Sequence, residues 1–251
     1  MDVKKTLLLL LCVVVGLPAL AQDDRTETKI RAALASDIRT DEEKERDRNR
    51  KPVETLAFFG LRDDMRVLEL IPGGGWYTKI LAPTLRDEGK LYVSIFTDGL
   101  AAGLLREPGF DKVEVLDIGV TPERTGPFGT RDVAPFSFGV AGLDMVLTFR
   151  NMHNFTAAGR AAINSAVYEA LKSGGLYGVV DHTRRHMQPM YDENRRRADP
   201  VEIIKEVLDA GFRFEGYSDL HYRPDDELRY EVGRATVTGN TDRFTLLFSK
   251  P

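Results

Sequence analysis

The 251-residue sequence predicts an α/β domain on a mostly parallel seven-stranded sheet, with one antiparallel strand and a group of N-terminal helices. Three observations predict it. From Met65 onward, short apolar runs alternate with segments of helical period, the pattern of successive βαβ units. A glycine-rich turn, Gly73 to Gly75, follows the first of these runs and opens a helix. The last two runs, near Phe212–Tyr217 and Arg243–Phe248, have no helix between them, so one of the pair runs against the others.

The chain opens with a segment that reads as an export signal. Lys4 and Lys5 precede an apolar run from Thr6 to Leu17; Pro18 breaks the run, and Ala19 and Ala21 stand at the spacing a signal peptidase reads. The run is well short of the ~20 apolar residues of a spanning helix. Residues 1–21 are therefore expected to be a signal peptide cleaved after Ala21, leaving a periplasmic or secreted protein with no stable membrane span. Cys12 follows Leu11 inside the run rather than a small residue, which argues against a lipoprotein. Cleavage removes this one cysteine, so the mature chain has no intrachain disulfide, thiol nucleophile or cysteine-ligated zinc.

Residues 22–60 are expected to be a helical segment ahead of the main domain, 61–251. Ile30, Ala33, Leu34 and Ile38 recur at helical spacing, and the charged run from Arg39 to Arg50 reads as a solvated helix face with i,i+4 pairs. Pro52 starts a further helix that ends at Gly60. Met65–Leu70 is the first strand, followed by the glycine turn and a helix through Leu85. A turn at Asp87–Lys90 leads to the second strand, Leu91–Phe96, then to a Gly- and Ala-rich helix and a third strand, Lys112–Ile118. Asp144–Phe149 is the fourth strand and Ala157–Leu171 its helix. Ser173–Gly175 reads as the cap of that helix, before a fifth strand, Leu176–Val180. Val201–Ala210 is the last helix, closed by Gly211. The final link, Ser218–Thr241, reads as a long surface loop or flap.

Composition bounds the function. Hydrophobic residues make up 42% and charged residues 29%, ordinary globular proportions, and the formal charge of -4 argues against a nucleic-acid partner. A small molecule or another protein is the expected partner.

In an open α/β sheet, ligands lie beyond the strand carboxyl ends, where glycines let the backbone come close. The stretch Val67–Thr78 has that form, with Glu69 near the strand end; it lacks the Gly-X-Gly-X-X-Gly of dinucleotide enzymes. Leu143–Asn154 is a strand that ends in a polar loop, and Leu171–Asp181 is a Lys-Ser-Gly-Gly turn with a strand. In this order the three stretches resemble the class I S-adenosylmethionine-dependent methyltransferases. Those enzymes carry an acidic residue at the first strand's end, a polar loop after the fourth strand and a Leu-Lys-Pro-Gly-Gly turn before the fifth. The chain is further similar to a group of bacterial predicted methyltransferases, often exported, in Arg46–Pro52, Pro72–Thr78, Asn151–Asn154, Asp181–His182, Ala210–Phe212 and Thr241–Phe244.

The resemblance spans nearly the whole mature chain and implies a Rossmann-like class I methyltransferase fold, S-adenosylmethionine as cofactor, and methyl transfer to an acceptor it does not name. It implies cofactor contacts at Glu69, Gly73, Gly74, Gly75, Trp76, Tyr77 and Thr78. The signature Asp-X-Gly-X-Gly-X-Gly is here Glu69 to Gly75, with Ile71 in the first glycine's place. The acid that grips the ribose after the second strand has Asp98 as its candidate, late by a residue or two. Arg195–Asp199 lacks the histidine of the related stretch.

Methyl transfer is an in-line displacement, which an enzyme promotes by positioning and, where needed, by removing a proton. Asn151, His153, Asp181 and His182 follow strand ends and are the catalytic candidates; Tyr191, Asp192 and Arg195–Arg197 are candidates for a lid. No metal motif is present, and no metal is expected. Each candidate has a plainer alternative: hydrogen-bonded core histidines, turn caps at Asn151 and Asp181, and core aromatics at Trp76 and Tyr77. Three functions stay open: an active methyltransferase, a non-catalytic ligand-binding protein, and an envelope scaffold.

Overall fold

The computed structural model describes the backbone of residues 17–251 and side chains from Asp24 onward, so most of the segment read as a signal lies outside the described residues. Helices α1 (Leu17–Ala35), α2 (Asp41–Glu45), α3 (Asp47–Arg50) and α4 (Pro52–Phe58) precede strand β1 (Arg66–Leu70). Then follow α5 (Thr78–Leu85), β2 (Lys90–Ser94), α6 (Asp98–Ala102), β3 (Glu114–Leu116), β4 (Leu143–Phe149), α7 (Ala157–Ala170), β5 (Leu171–His182), α8 (Pro200–Asp209), β6 (Arg213–Ser218) and β7 (Arg243–Ser249).

The strands form one sheet in the order β3-β2-β1-β4-β5-β7-β6. Pairings from β3 through β5 are parallel, and β7 runs antiparallel to both β5 and β6. The reversed strand is therefore β7. Chain order reverses at β1, whose neighbours are β2 on one side and β4 on the other; such a switch point opens a crevice at the strand carboxyl ends.

Period-two alternation divides the core between the two faces of the sheet. Val67, Met145 and Leu147 pack with Ile80 and Leu81 of α5, Leu56 of α4 and Ile30 of α1. Leu68, Leu70 and Val146 pack with Ile163 and Val167 of α7 and with Ile203 and Val207 of α8. Helix α1 is fastened through the fully buried carboxylate of Asp63, which pairs with Arg25 at 2.7 Å and Lys29 at 2.8 Å. Burial by itself would raise this carboxyl's pKa; the two cations hold it below its ordinary value.

Two local expectations need correction. The charged run 39–50 is not one solvated face. Thr40 and Glu43 form a capping box that starts α2 afresh, and Lys51, left-handed at φ 40°, ends α3 ahead of Pro52. These breaks turn Arg39 and Arg50 inward, to 2% and 5% exposure. Second, Gly174 and Gly175 do not cap α7, which ends at Ala170. They pair instead with the backbone of Lys250, through Gly174 N–H to Lys250 O at 2.8 Å and Lys250 N–H to Gly175 O at 2.9 Å.

Candidate active site

Three neighbouring strands end in the same unusual way. The residue after β1, Ile71, has φ 53°; the residue after β2, Ile95, has φ 66°; and the residue after β4, Arg150, has φ 63°. A left-handed conformation costs a non-glycine residue on the order of 1–2 kcal/mol. Strain of this kind gathers where surrounding structure enforces a functional geometry. Ile71 is held by its N–H to Ser94 O at 2.9 Å and by Asn151, whose Nδ2 donates to the carbonyls of Leu70 and Ile71, each at 3.2 Å.

The glycine turn splits into two roles. A Cβ on Gly73 or Gly74 would meet no atom within 4 Å, whereas one on Gly75 would come within 2.5 Å of Leu104 and 2.7 Å of Leu100. Gly75 is a packing glycine. Gly73 and Gly74 border a cavity of about 200 Å³ that Glu69, Trp76, Tyr77 and Asn151 also line. Glu69 is 2% exposed and accepts the Thr78 hydroxyl at 2.6 Å. Burial pushes its carboxyl up to about 7, against the opposing pull of Thr78 and Arg50. The Tyr77 ring stacks on Phe149, with centroids 3.5 Å apart and planes 9° from parallel. Trp76 donates from Nε1 to Glu43 O at 3.0 Å and carries the Arg50 guanidinium 4.2 Å over its ring.

A second cavity, of about 260 Å³, adjoins the first and shares Arg46, Arg50 and Arg150 with it. His182 lines this one. Its Nδ1 lies 2.9 Å from Thr241 Oγ1, and burial, reinforced by the nearby Arg243 and His153, drives its pKa well below the ordinary value. The imidazole is neutral at pH 7. Asp181 is fully buried behind it. The Asp181 carboxylate takes His153 Nδ1 at 2.6 Å, His153 N–H at 3.0 Å and His182 N–H at 2.7 Å.

Of the twelve candidate residues, the structure brings Glu69, Gly73, Gly74, Trp76, Tyr77 and Asn151 to the first cavity and His182 to the second. Gly75 and Thr78 stand behind the turn, and His153 and Asp181 line neither cavity. Asp98 lines neither of the two. It is exposed at the start of α6 and borders another cavity of about 370 Å³, with Asp117, beyond the ends of β2 and β3.

No family model matches the chain, and no curated protein matches its sequence. Solved structures do match. A SAM-dependent methyltransferase from Aquifex aeolicus is 18% identical, with 88% of this chain and 97% of that one covered and a TM-score of 0.55. The glycopeptide N-methyltransferase MtfA is 15% identical over 81% of this chain and 96% of that one, with a TM-score of 0.51. The [4+2]-cyclase SpnF is 16% identical over 81% and 80%, with a TM-score of 0.56.

The fold is that of the class I methyltransferases. Against this frame, the residues that sequence reasoning missed are arginines: Arg46, Arg50, Arg150 and Arg243 all line the second cavity. Their signals were the stretches Arg46–Pro52, Leu143–Asn154 and Thr241–Phe244, which carried the resemblance without assigning these arginines a role. Among the lid candidates, Arg196 reaches the cavity rim, while Arg197 is fully buried and forms a bidentate pair with Asp226 at 2.8 and 3.0 Å. That pair fastens the β6–β7 link, whose Val232, Gly233, Thr238, Gly239 and Thr241 wall the cavity.

Proposed function

We propose that the chain is an S-adenosylmethionine-dependent methyltransferase that holds its cofactor over the glycine turn and receives its acceptor from the His182 side. The observation that carries this reading is the turn itself: Gly73 and Gly74 leave open the space a Cβ would fill, directly over a cavity bordered by the buried Glu69. The donor set fits the cofactor. Backbone at the two glycines can approach it closely, Glu69 can accept its N–H or O–H groups, and Trp76 and Tyr77 wall the same cavity. When bound, S-adenosylmethionine supplies an electrophilic methyl group.

The chain's own share is placement and proton handling. Asn151 fastens the end of β1 to the loop after β4, which fixes the turn. His182 Nδ1 and Thr241 Oγ1 share a hydrogen bond at 2.9 Å; in the tautomer where Nδ1 is its donor, the neutral ring leaves the Nε2 lone pair to accept an acceptor's proton. Asp181 positions both histidine backbones and the His153 ring. MtfA, which shares this fold, has been solved with sinefungin, at a TM-score of 0.52 and 15% identity over 79% of this chain and 91% of that one; that likeness supports the cofactor assignment. The proposal includes export, on the strength of residues 1–21.

A second reading is favoured by one observation: the same fold is found in a [4+2]-cyclase. On that reading the pocket is kept for another ligand, without methyl transfer. Calorimetric titration of the purified protein with S-adenosylmethionine and S-adenosylhomocysteine separates the two. Micromolar binding of both supports the methyltransferase, and absence of heat with a folded sample leaves the second reading.

A further inference from the structure

The second cavity gathers positive charge that the protein itself does not neutralise. Five arginines line it: Arg46, Arg50, Arg150, Arg196 and Arg243. Arg50 and Arg243 are only 5% and 7% exposed. Arg196 has a carboxylate partner, Glu231. The guanidiniums of Arg50 and Arg150 have no hydrogen bond or ion pair among the described residues; that of Arg50 lies over the Trp76 ring, 4.2 Å from its centroid. Arg243 donates once, to Asn49 O at 3.0 Å, and its Nε is buried with no partner. The carboxylates that act on this cluster, Asp181 and Glu69, hydrogen-bond His153 and Thr78 and form no ion pair with the three arginines.

Holding several guanidiniums out of water without counter-charge is costly, and removing water makes their mutual repulsion stronger. Each lowers its neighbours' affinity for a proton. Burial first, and then Arg150 and Arg243, bring Arg50 down to about 9; burial and Arg150 bring Arg243 to about 10. Such an arrangement is disfavoured in the free protein, and an anion relieves it on binding. Guanidiniums suit planar or tetrahedral oxyanions because their forked N–H groups can donate in pairs. The chain as a whole carries a charge of -4, so the concentration of arginine here is local rather than a reflection of composition.

We propose that Arg50, Arg150 and Arg243 form an oxyanion subsite for the protein's small-molecule ligand, which carries a carboxylate or phosphate group. Resting on the methyltransferase reading above, this ligand is the methyl acceptor, and its anionic group sets its position beside His182. A cationic or purely apolar acceptor is rejected, because it leaves the three guanidiniums unpaired. Arg46, at the rim and shared with the glycine cavity, helps to draw the anion in.

The cofactor has a carboxylate of its own, so the test must separate the two sources. The probes are inorganic phosphate, titrated calorimetrically at constant ionic strength, and S-adenosylhomocysteine. The expected result is saturable phosphate binding to protein already saturated with S-adenosylhomocysteine. Arg243→Met and Arg150→Met should each weaken phosphate binding by at least about tenfold, while S-adenosylhomocysteine affinity in Arg243→Met stays within about twofold. Because Arg243 is buried and Arg150 half-buried, and neither has a carboxylate partner, both variants should melt at or above the wild-type temperature in phosphate-free buffer; lost binding then cannot be ascribed to misfolding. Phosphate that competes with S-adenosylhomocysteine would overturn the acceptor assignment, since the arginines would then serve the cofactor's carboxylate. Absence of phosphate binding with S-adenosylhomocysteine binding intact would overturn the subsite and leave the methyltransferase reading standing. Phosphate binding that the variants abolish, without any S-adenosylhomocysteine binding, would uphold the subsite and remove the methyltransferase reading.

Discussion

Asn151 donates a hydrogen bond to the carbonyl of Ile71 at 3.2 Å, tying the loop after β4 to the one position of the glycine signature that is not glycine. Ile71 nevertheless has a left-handed backbone, φ 53°. The tie compensates for the missing glycine by holding the strained peptide from its oxygen side, while Ser94 holds it through the N–H. Asn151→Ala should therefore lower stability by about 1–2 kcal/mol, and weaken S-adenosylhomocysteine binding as the turn relaxes. Urea denaturation and titration on the same preparation check both effects. An unchanged midpoint would show that Ile71 is held by other means.

Gly74 and Gly75 should respond in opposite ways. At Gly74 the φ is not left-handed and nothing lies within 4 Å of a Cβ. Gly74→Asp should leave stability within about 0.5 kcal/mol and reduce S-adenosylhomocysteine affinity at least tenfold, about 1.4 kcal/mol. Gly75→Ala places a Cβ at φ 80° against Leu104 and Leu100, and should cost about 1–3 kcal/mol of stability. Thermal melts with and without ligand separate the two. A Gly74→Asp protein with wild-type affinity would remove this turn from the site.

Glu69 gives the binding a pH dependence of known sign. Its carboxyl in the free protein is raised to about 7, mainly by burial. A ligand that donates hydrogen bonds to it favours the carboxylate, so the bound-state pKa is lower and binding releases a proton near neutrality. Affinity should fall as pH drops below about 7, by up to about tenfold per unit, and level off above it. Calorimetry in buffers of different ionisation enthalpy measures the released proton. Glu69→Gln should abolish the slope; a slope that persists in that variant would assign it to another group.

His221 and Glu69 should pull stability in opposite directions on mild acidification, because the folded state takes up the Glu69 proton before the unfolded chain does. His221 is buried between Thr245 Oγ1 at 2.7 Å and Arg50 O at 3.0 Å, and burial lowers its pKa to about 4. The folded pKa lies below the unfolded value of about 6.5, so the unfolded chain takes up the proton first. The stability associated with neutral His221 is complete above about pH 6.5 and is lost as pH falls toward 4. The loss is on the order of 3 kcal/mol. His182, also depressed, adds to it in the same direction. Denaturant melts of Glu69→Gln protein from pH 7.5 to 4.5, free of the opposing Glu69 contribution, should show the decline, and adding His221→Gln should flatten part of it.

Export can be tested at the N-terminus. The side-chain contacts described for α1 begin at Asp24 and include Arg25, Lys29 and Ile30. Cleavage after Ala21 would leave them all in place. N-terminal sequencing of protein from the native host should find Gln22 first, and a mature chain starting at Met1 would refute export by this signal.

The alternation of strands and helices, the glycine turn after β1 and the need for one reversed strand were all legible in the sequence. Each rests on local chemistry: period-two burial, glycine's conformational range, and the absence of a crossover helix before Arg243. The capping box at Thr40 and Glu43 was equally local, yet it was hidden inside a run whose charge suggested solvent. Only the tertiary structure decided that β7 is the reversed strand, that Asp98 does not line the glycine cavity, and that His182 lines the arginine cavity while His153 lines neither of the two. It alone decided the meeting of Arg50, Arg150 and Arg243, which lie on a helix end, a strand-end turn and the last strand. An arginine's type does not reveal whether its guanidinium is hydrated or buried. That depends on which other chain segments surround it, and those segments are nearly two hundred residues apart in the chain.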